Sequence, residues 1–294
     1  MPTLPTILIT GATDGIGQLA ALALARRGAR LVLTARSQVK ADRTRAAILA
    51  VAPATPVDVH YVDFSDLSAV AATGKAIARQ HPRIDVLINN AGLHAFRQRV
   101  STDGYAEMIA VNYFAPWLLT HVLQESLLHS APSRIVTVGS EASRHSGALA
   151  IERDLLDTAP FGVRGSSRIY GRSKLLDIMF SLELARRLRG SGVTVNCLCP
   201  GFNVTGLGRE LGFARPLARL LRWFDIGNPR HGADGIVRLA VDPVFGRQTG
   251  AYVSAKHARA LTPWGPGNSD AARRQLWDAT ANLLARFVAS APAH

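Results

Sequence analysis

Short runs of aliphatic and β-branched residues recur along the chain at residues 6–10, 30–34, 58–62, 86–89, 134–138, 193–198 and 251–254. Between them, apolar residues return every three or four positions, which predicts helices over 15–27, 39–50, 67–80, 105–129, 167–189 and 229–239. Seven such strands alternating with helices predict an α/β fold, a doubly wound parallel sheet with helices on both faces. Local signals agree. Ser65 or Asp66 is placed to cap the helix that carries Leu67 and Val70, and Asn228 before Pro229 is an N-cap followed by proline at the first helical position.

Two stretches break the alternation. Residues 141–166 read as a long polar loop, and residues 206–224 mix apolar and basic side chains at helical spacing, as an amphipathic excursion before the sixth helix. There is no internal repeat and no linker, so residues 1–294 are expected to form one domain with an appended lid at about 203–227. That length suits one large α/β unit.

Composition narrows the class. With 48% hydrophobic and 19% charged residues the chain is neither disordered nor fibrous. The net charge of +13 is carried mainly by arginines spread over every segment, with no basic stripe interleaved with aromatics, so no nucleic-acid partner is expected. Apolar runs such as 19–25 are interrupted by Arg26, Arg27 and Arg30, far short of the roughly 20 residues of a bilayer span. The first strand starts too near Met1 for a secretory signal. Cys197 and Cys199 sit two apart in one strand, share a face and cannot close a relaxed disulfide, which suits a cytoplasmic location.

Chemistry enters at Thr10-Gly11-Ala12-Thr13-Asp14-Gly15-Ile16-Gly17, between the first strand and the first helix. Glycines there let the backbone turn tightly and approach a pyrophosphate, whose charge the exposed amides and the helix dipole favour. After the second strand, an NAD site would carry an acid for the ribose 2′-hydroxyl. This chain has Arg36, with Lys40 one turn on, which suits the 2′-phosphate of NADP(H). The plain alternative for Arg36 is one more surface arginine. Asn89-Asn90-Ala91-Gly92 ends the fourth strand, at the edge where open sheets bind ligands, although asparagine and glycine also favour simple turns. In Tyr170-Gly171-Arg172-Ser173-Lys174 the phenol and the ammonium lie one helical turn apart, so the cation is placed to lower the phenol's pKa from ~10.

Taken in order over nearly the whole chain, the T-G-x-x-x-G-x-G turn, the Asn-Asn-Ala-Gly run, Tyr170 with Lys174, and Pro200-Gly201 after the sixth strand resemble the short-chain dehydrogenase/reductase family. Arg36, the long loop before Tyr170 and Ser173-Lys174-Leu175 most resemble its retinol-dehydrogenase-like branch. The resemblance implies a Rossmann fold, with a cofactor-binding half at about 1–140 and a catalytic and substrate half at about 141–294. It also implies a tetrad. Tyr170 would be the general acid in reduction, Lys174 would hold the nicotinamide ribose and depress the phenol's pKa, Ser140 would bond the substrate oxygen, and Asn112 would bend its helix and hold a water.

By the same resemblance, Gly11, Thr13, Asp14, Gly15, Ile16 and Gly17 form the cofactor turn, and Asp63 with Phe64 meets the adenine. Asn89 lies beside the adenine ribose, Ala91 and Gly92 allow close approach to a ring, and Pro200, Gly201, Asn203 and Thr205 surround the carboxamide. Asn203 departs from the usual aliphatic residue, and Gly139 replaces the commoner serine beside the catalytic one. The implied activity is an NADPH-dependent carbonyl reductase, reversible as an alcohol dehydrogenase, on a fairly large apolar ketone, aldehyde or secondary alcohol. A nucleotide-sugar epimerase or dehydratase would open with a differently spaced glycine turn and lack the Asn-Asn-Ala-Gly run, and a non-catalytic dinucleotide sensor would have lost Tyr170 or Lys174. A homodimer or homotetramer through the helices over 105–129 and 167–189 is also implied. The lid is fit to cover an apolar substrate or to lie weakly on a membrane surface.

Overall fold

The computed structural model describes residues 4–201, 228–256 and 258–289. Each expected strand forms: β1 (Thr6–Ile9), β2 (Arg30–Ala35), β3 (Val57–Tyr61), β4 (Val86–Asn89), β5 (Ser133–Val138), β6 (Val193–Cys199) and β7 (Ala251–Ser254). They make one parallel sheet in the order β3-β2-β1-β4-β5-β6-β7. The chain reverses its direction of winding between β1 and β4, which opens a crevice at the carboxyl ends of those strands.

Side chains alternate between the two faces. Ile7 and Ile9 pack with Leu31, Leu33 and Ile88 under α1 (Gly15–Ala25), beside α2 (Gln38–Val51), whereas Leu8 joins Leu87 and Ile135 on the other face under α3 (Leu67–Gln80). Asp66, rather than Ser65, caps α3, its Oδ1 accepting from the Ala69 amide at 2.8 Å.

The single helix expected over 105–129 is broken. It runs as α4 (Glu107–Ile109), a π turn at Ala110–Phe114, α5 (Ala115–Val122) and α6 (Gln124–His129). Pro116 explains the break, because it has no N–H to give to the Asn112 carbonyl four residues back, and the Ala115 amide reaches five residues back to Ala110. The polar stretch 141–166 is also more ordered than expected. It holds a 3₁₀ turn (Glu141–His145), α7 (Ile151–Leu156) and the start of α8 (Val163–Arg187), with Arg172 of α8 meeting Asp154 of α7 at 3.1 Å.

After β6 the described chain resumes at Asn228, which caps α9 (Pro229–Val241) as expected. The lid, with Asn203 and Thr205, lies outside the described residues. One helix was not anticipated: α10 (Asp270–Ala289), which buries Leu276, Thr280, Leu284 and Phe287 on one stripe. It packs on α8, α5, α3 and α7, the first two of which belong to the helices through which a second copy is expected to dock. Among the described residues, no helix is long and apolar enough to cross a membrane.

Candidate active site

The glycine turn after β1 is built against the turn after β4. Thr10 Oγ1 accepts from the amides of Asn90 and Ala91, both at 2.9 Å, and Asn90 Nδ2 donates back to the carbonyls of Thr10 and Gly11. No larger residue fits at Gly17, where a Cβ would stand 2.4 Å from Asn90 Nδ2 and 2.6 Å from the Gly11 carbonyl. Gly11 also needs its left-handed backbone (φ 66°). Asp14 caps α1, accepting from the Gly15 amide at 2.8 Å, and Thr13, Gly15 and Ile16 stay part-exposed around the helix N-terminus. A backbone cradle at a helix N-terminus, kept open by glycines, fits a dinucleotide pyrophosphate.

At the adenine side, Arg36 stands just past β2 with its side chain 72% exposed, and its Nη1 lies 3.7 Å from Asp63 Oδ2. Lys40 Nζ is 3.9 Å from Asp14 Oδ2. These four residues therefore share the outer edge of the crevice. Phe64 and Asn89 do not present side chains there. Phe64 is buried in the core, and Asn89 turns its amide into α5, donating to Thr120 Oγ1 at 2.9 Å, so both offer the crevice backbone only.

At the inner end, the tetrad positions converge. Tyr170 and Lys174 stand one turn apart on α8, and the Ser140 hydroxyl lies near enough to the Tyr170 phenol to favour its ionised form. Ser140 Oγ accepts from the Ala142 amide at 3.1 Å, which fixes the hydroxyl at the start of the 3₁₀ turn. Lys174 Nζ donates to the Val138 carbonyl and to Asp177 Oδ2, each at 2.9 Å. Asn112, in the π turn, clamps the loop after β4: its Oδ1 accepts from the Leu93 amide at 2.8 Å, and its Nδ2 donates to the Leu93 carbonyl and Ser173 Oγ at 2.9 Å. With the side chain so engaged, any water held by Asn112 falls to its main-chain carbonyl. Ala91 and Gly92 thread this junction, where a Cβ on Gly92 would touch Asn112 Oδ1 and Lys174 Nζ at 3.4 and 3.5 Å. Pro200 and Gly201 follow β6, Gly201 in the left-handed region at φ 77°.

Two residues at this centre were missed by the sequence reading. The His94 ring stacks on Tyr170 at 4.5 Å and 15°, with its Nε2 2.6 Å from Ser166 Oγ. Asp177 forms the buried pair with Lys174, and its signal was a carboxylate inside the apolar run Leu175-Leu176-Asp177-Ile178-Met179, three residues past the lysine. Gly139 is also explained, since a Cβ there would lie 2.9 Å from Cys197 Sγ and 3.1 Å from Ile178 Cγ1.

Electrostatics alter one expectation. Burial raises the Tyr170 pKa above the usual phenol value; Lys174 and Ser140 pull it down, and Asp177 pushes it back up. The phenol is therefore not drawn below ~10 as the lysine alone would draw it. Burial opposes the charge on Lys174 too, but Asp177 and Tyr170 outweigh it and hold the ammonium's pKa above its usual value. Asp177 is pushed up to about 6 by burial, against the pull of Lys174.

Residues 5–151 match the family model for short chain dehydrogenase. Retinol dehydrogenase 14 of Mus musculus is 36% identical over 286 residues, spanning 93% of this chain and 84% of that relative. The chain belongs to the short-chain dehydrogenase family. A dehydrogenase/reductase SDR family member 13 of Bos taurus is 35% identical to this dehydrogenase over 280 residues, spanning 95% of it and 72% of the relative. The fold of the dehydrogenase also matches Pseudomonas aeruginosa RhlG, solved as an active-site complex with NADP, with a TM-score of 0.67 at 23% identity over 85% of this chain and 94% of that one. It is an oxidoreductase of the Rossmann type, similar to retinol dehydrogenases.

Proposed function

We propose that this dehydrogenase is an NADPH-dependent carbonyl reductase, reversible as an alcohol dehydrogenase, acting in the cytoplasm on a fairly large apolar ketone, aldehyde or secondary alcohol. The observation that carries the reading is the convergence of Tyr170, Ser140 and Lys174 at the carboxyl edge of the sheet beside the glycine cradle. When bound, a reduced nicotinamide supplies a hydride. Tyr170 gives its proton to the carbonyl oxygen, Ser140 bonds that oxygen and orients it, and Lys174 holds the ribose and steadies the charge left on the phenol. Asn112 keeps the loop at 91–93 in place beside this centre.

Arg36 supports the choice of NADPH, since an exposed guanidinium at the end of β2 can pair with a 2′-phosphate. The apolar substrate class is supported by the retinol dehydrogenases among the relatives. The test is oxidation of NADPH and NADH against carbonyls of graded size, with cofactor dissociation constants at two salt concentrations for wild type and Arg36→Asp. The 2′-phosphate contact, worth about 1.5–3 kcal/mol, predicts a ten- to hundredfold preference for NADPH that reverses in the variant. Equal binding of both cofactors, or a preference that ignores Arg36, refutes the cofactor assignment, and wild-type turnover that Tyr170→Phe leaves within tenfold refutes the acid.

A further inference from the structure

Asp177 stands one helical turn beyond Lys174 on α8 and is 2% exposed. Its Oδ2 accepts from Lys174 Nζ at 2.9 Å, while Oδ1 is buried with no hydrogen-bond partner among the described residues. A carboxylate set among the buried Leu176, Ile178 and Met179 is costly unless it answers a cation. That cation is the lysine of the acid–base centre.

Burial keeps several of the neighbouring titratable groups neutral, and the Glu141 carboxylate is paired with Arg144 at 2.7 Å. Tyr113, from the π turn, and Cys197, on β6, face Asp177, and burial raises the pKa of both, which keeps them neutral. Cys199, also on β6, faces Tyr170 and is likewise raised by burial. His94 stacks on the phenol from the loop after β4, Ser140 lies beside it just past β5, and Glu141, next to Ser140, accepts from Tyr252 of β7 at 3.0 Å. At the centre itself, the opposed charges are those of Lys174 and Asp177.

We propose that Asp177 is a positioning residue: by pinning Lys174 Nζ and offsetting its charge, it keeps Tyr170 protonated at neutral pH and poises the site to give a proton to a carbonyl oxygen rather than take one from an alcohol. A lone ammonium one turn away favours the phenolate, whereas an ammonium in contact with a carboxylate acts as a dipole whose field falls off faster. The electrostatics of Tyr170 agree in sign, since Lys174 and Asp177 act on it in opposite directions. The inference rests on reading Tyr170 as the acid–base residue and adds the working direction of the site.

The test is Asp177→Asn, which removes the charge and keeps the volume and one acceptor. Tyrosine labelled at the phenolic carbon is followed by NMR through a pH titration of the free protein, with Tyr170 picked out among the five tyrosines by its loss in Tyr170→Phe. Tyr170 is expected to titrate about one pH unit or more lower in Asp177→Asn, and the pH at which alcohol oxidation reaches half its plateau falls with it. An unchanged or raised titration overturns the inference. Should Asp177→Asn not fold, Asp177→Ser removes the same charge without adding volume and is read the same way. Because the titration needs no turnover, a wild type that reduces no carbonyl refutes the proposed function, while the Tyr170 shift still decides the role of Asp177.

Discussion

Gly171 follows Tyr170 on α8, at the point where the helix crosses the 3₁₀ turn that Ser140 caps. A Cβ there would lie 2.3 Å from the Ala142 carbonyl and 3.1 Å from the Ser146 amide. Both are backbone atoms, so no side chain can rotate away, and reaching ordinary contact requires α8 and the turn to part by about 1 Å. Overpacking of this kind costs roughly 1–3 kcal/mol, against a gain of about 1 kcal/mol from the better helix propensity of alanine. The loss wins or breaks even. Function is the sharper readout, because the parting separates Ser140 from Tyr170, and a 1 Å misplacement can cost about a hundredfold in turnover. Gly171→Ala should thus lower Tm by a few degrees and kcat by roughly ten- to a hundredfold, while binding of the nicotinamide cofactor at the glycine turn stays near wild type. Thermal melting, steady-state kinetics and cofactor titration check this. A kcat within twofold of wild type would show that the contact does not set the Ser140–Tyr170 geometry.

Glu183 gives a pH test. Burial opposes its ionisation, but Arg186 and Arg187 hold the carboxylate with bonds of 2.6–2.9 Å and bring its pKa below the usual value. Because the folded value is depressed, this stability is present above the unfolded pKa of about 4.5 and is lost as pH falls through the folded one; urea unfolding should show that Glu183→Gln is least damaging at the acid end. In light scattering the protein is expected to run as a monomer, because α10 occupies the face over α5 and α8. A stable dimer disrupted by substitutions on those two helices would contradict that geometry.

The sheet was legible because each strand is an apolar run too short for a helix and bounded by turn residues, and the glycine turn and the Tyr170–Lys174 spacing are local patterns. What escaped the reading depends on contacts between distant residues. The apolar period runs through Pro116 without a gap, so the π turn that places Asn112 left only the proline as a clue. The orientation of Asn89 is decided by Thr120, and that of His94 by Tyr170 and Ser166. The helix α10 carries three arginines, Arg273, Arg274 and Arg286, among its apolar positions, and its stripe at 276, 280, 284 and 287 is spaced at one turn per step.

The cover supplied by α10 also reaches the chemistry. Thr280 Oγ1 lies 2.7 Å from the Tyr113 hydroxyl, and Tyr113 is the neighbour of Asn112 in the π turn. Trp277 lies against Trp117 of α5, with ring centroids 5.5 Å apart, and stacks on Phe180 of α8 at 6.0 Å, while the Arg187 guanidinium sits 4.5 Å over its ring. One helix thus braces both the π turn that carries Asn112 and the helix that carries Tyr170 and Lys174. Burying Leu276, Leu284 and Phe287 contributes roughly 1.5–3 kcal/mol each before ordering costs, enough to hold that brace without a second subunit. The separation between Asn112 and the Tyr170–Lys174 pair is therefore set within one chain, and the geometry of the centre should not depend on protein concentration.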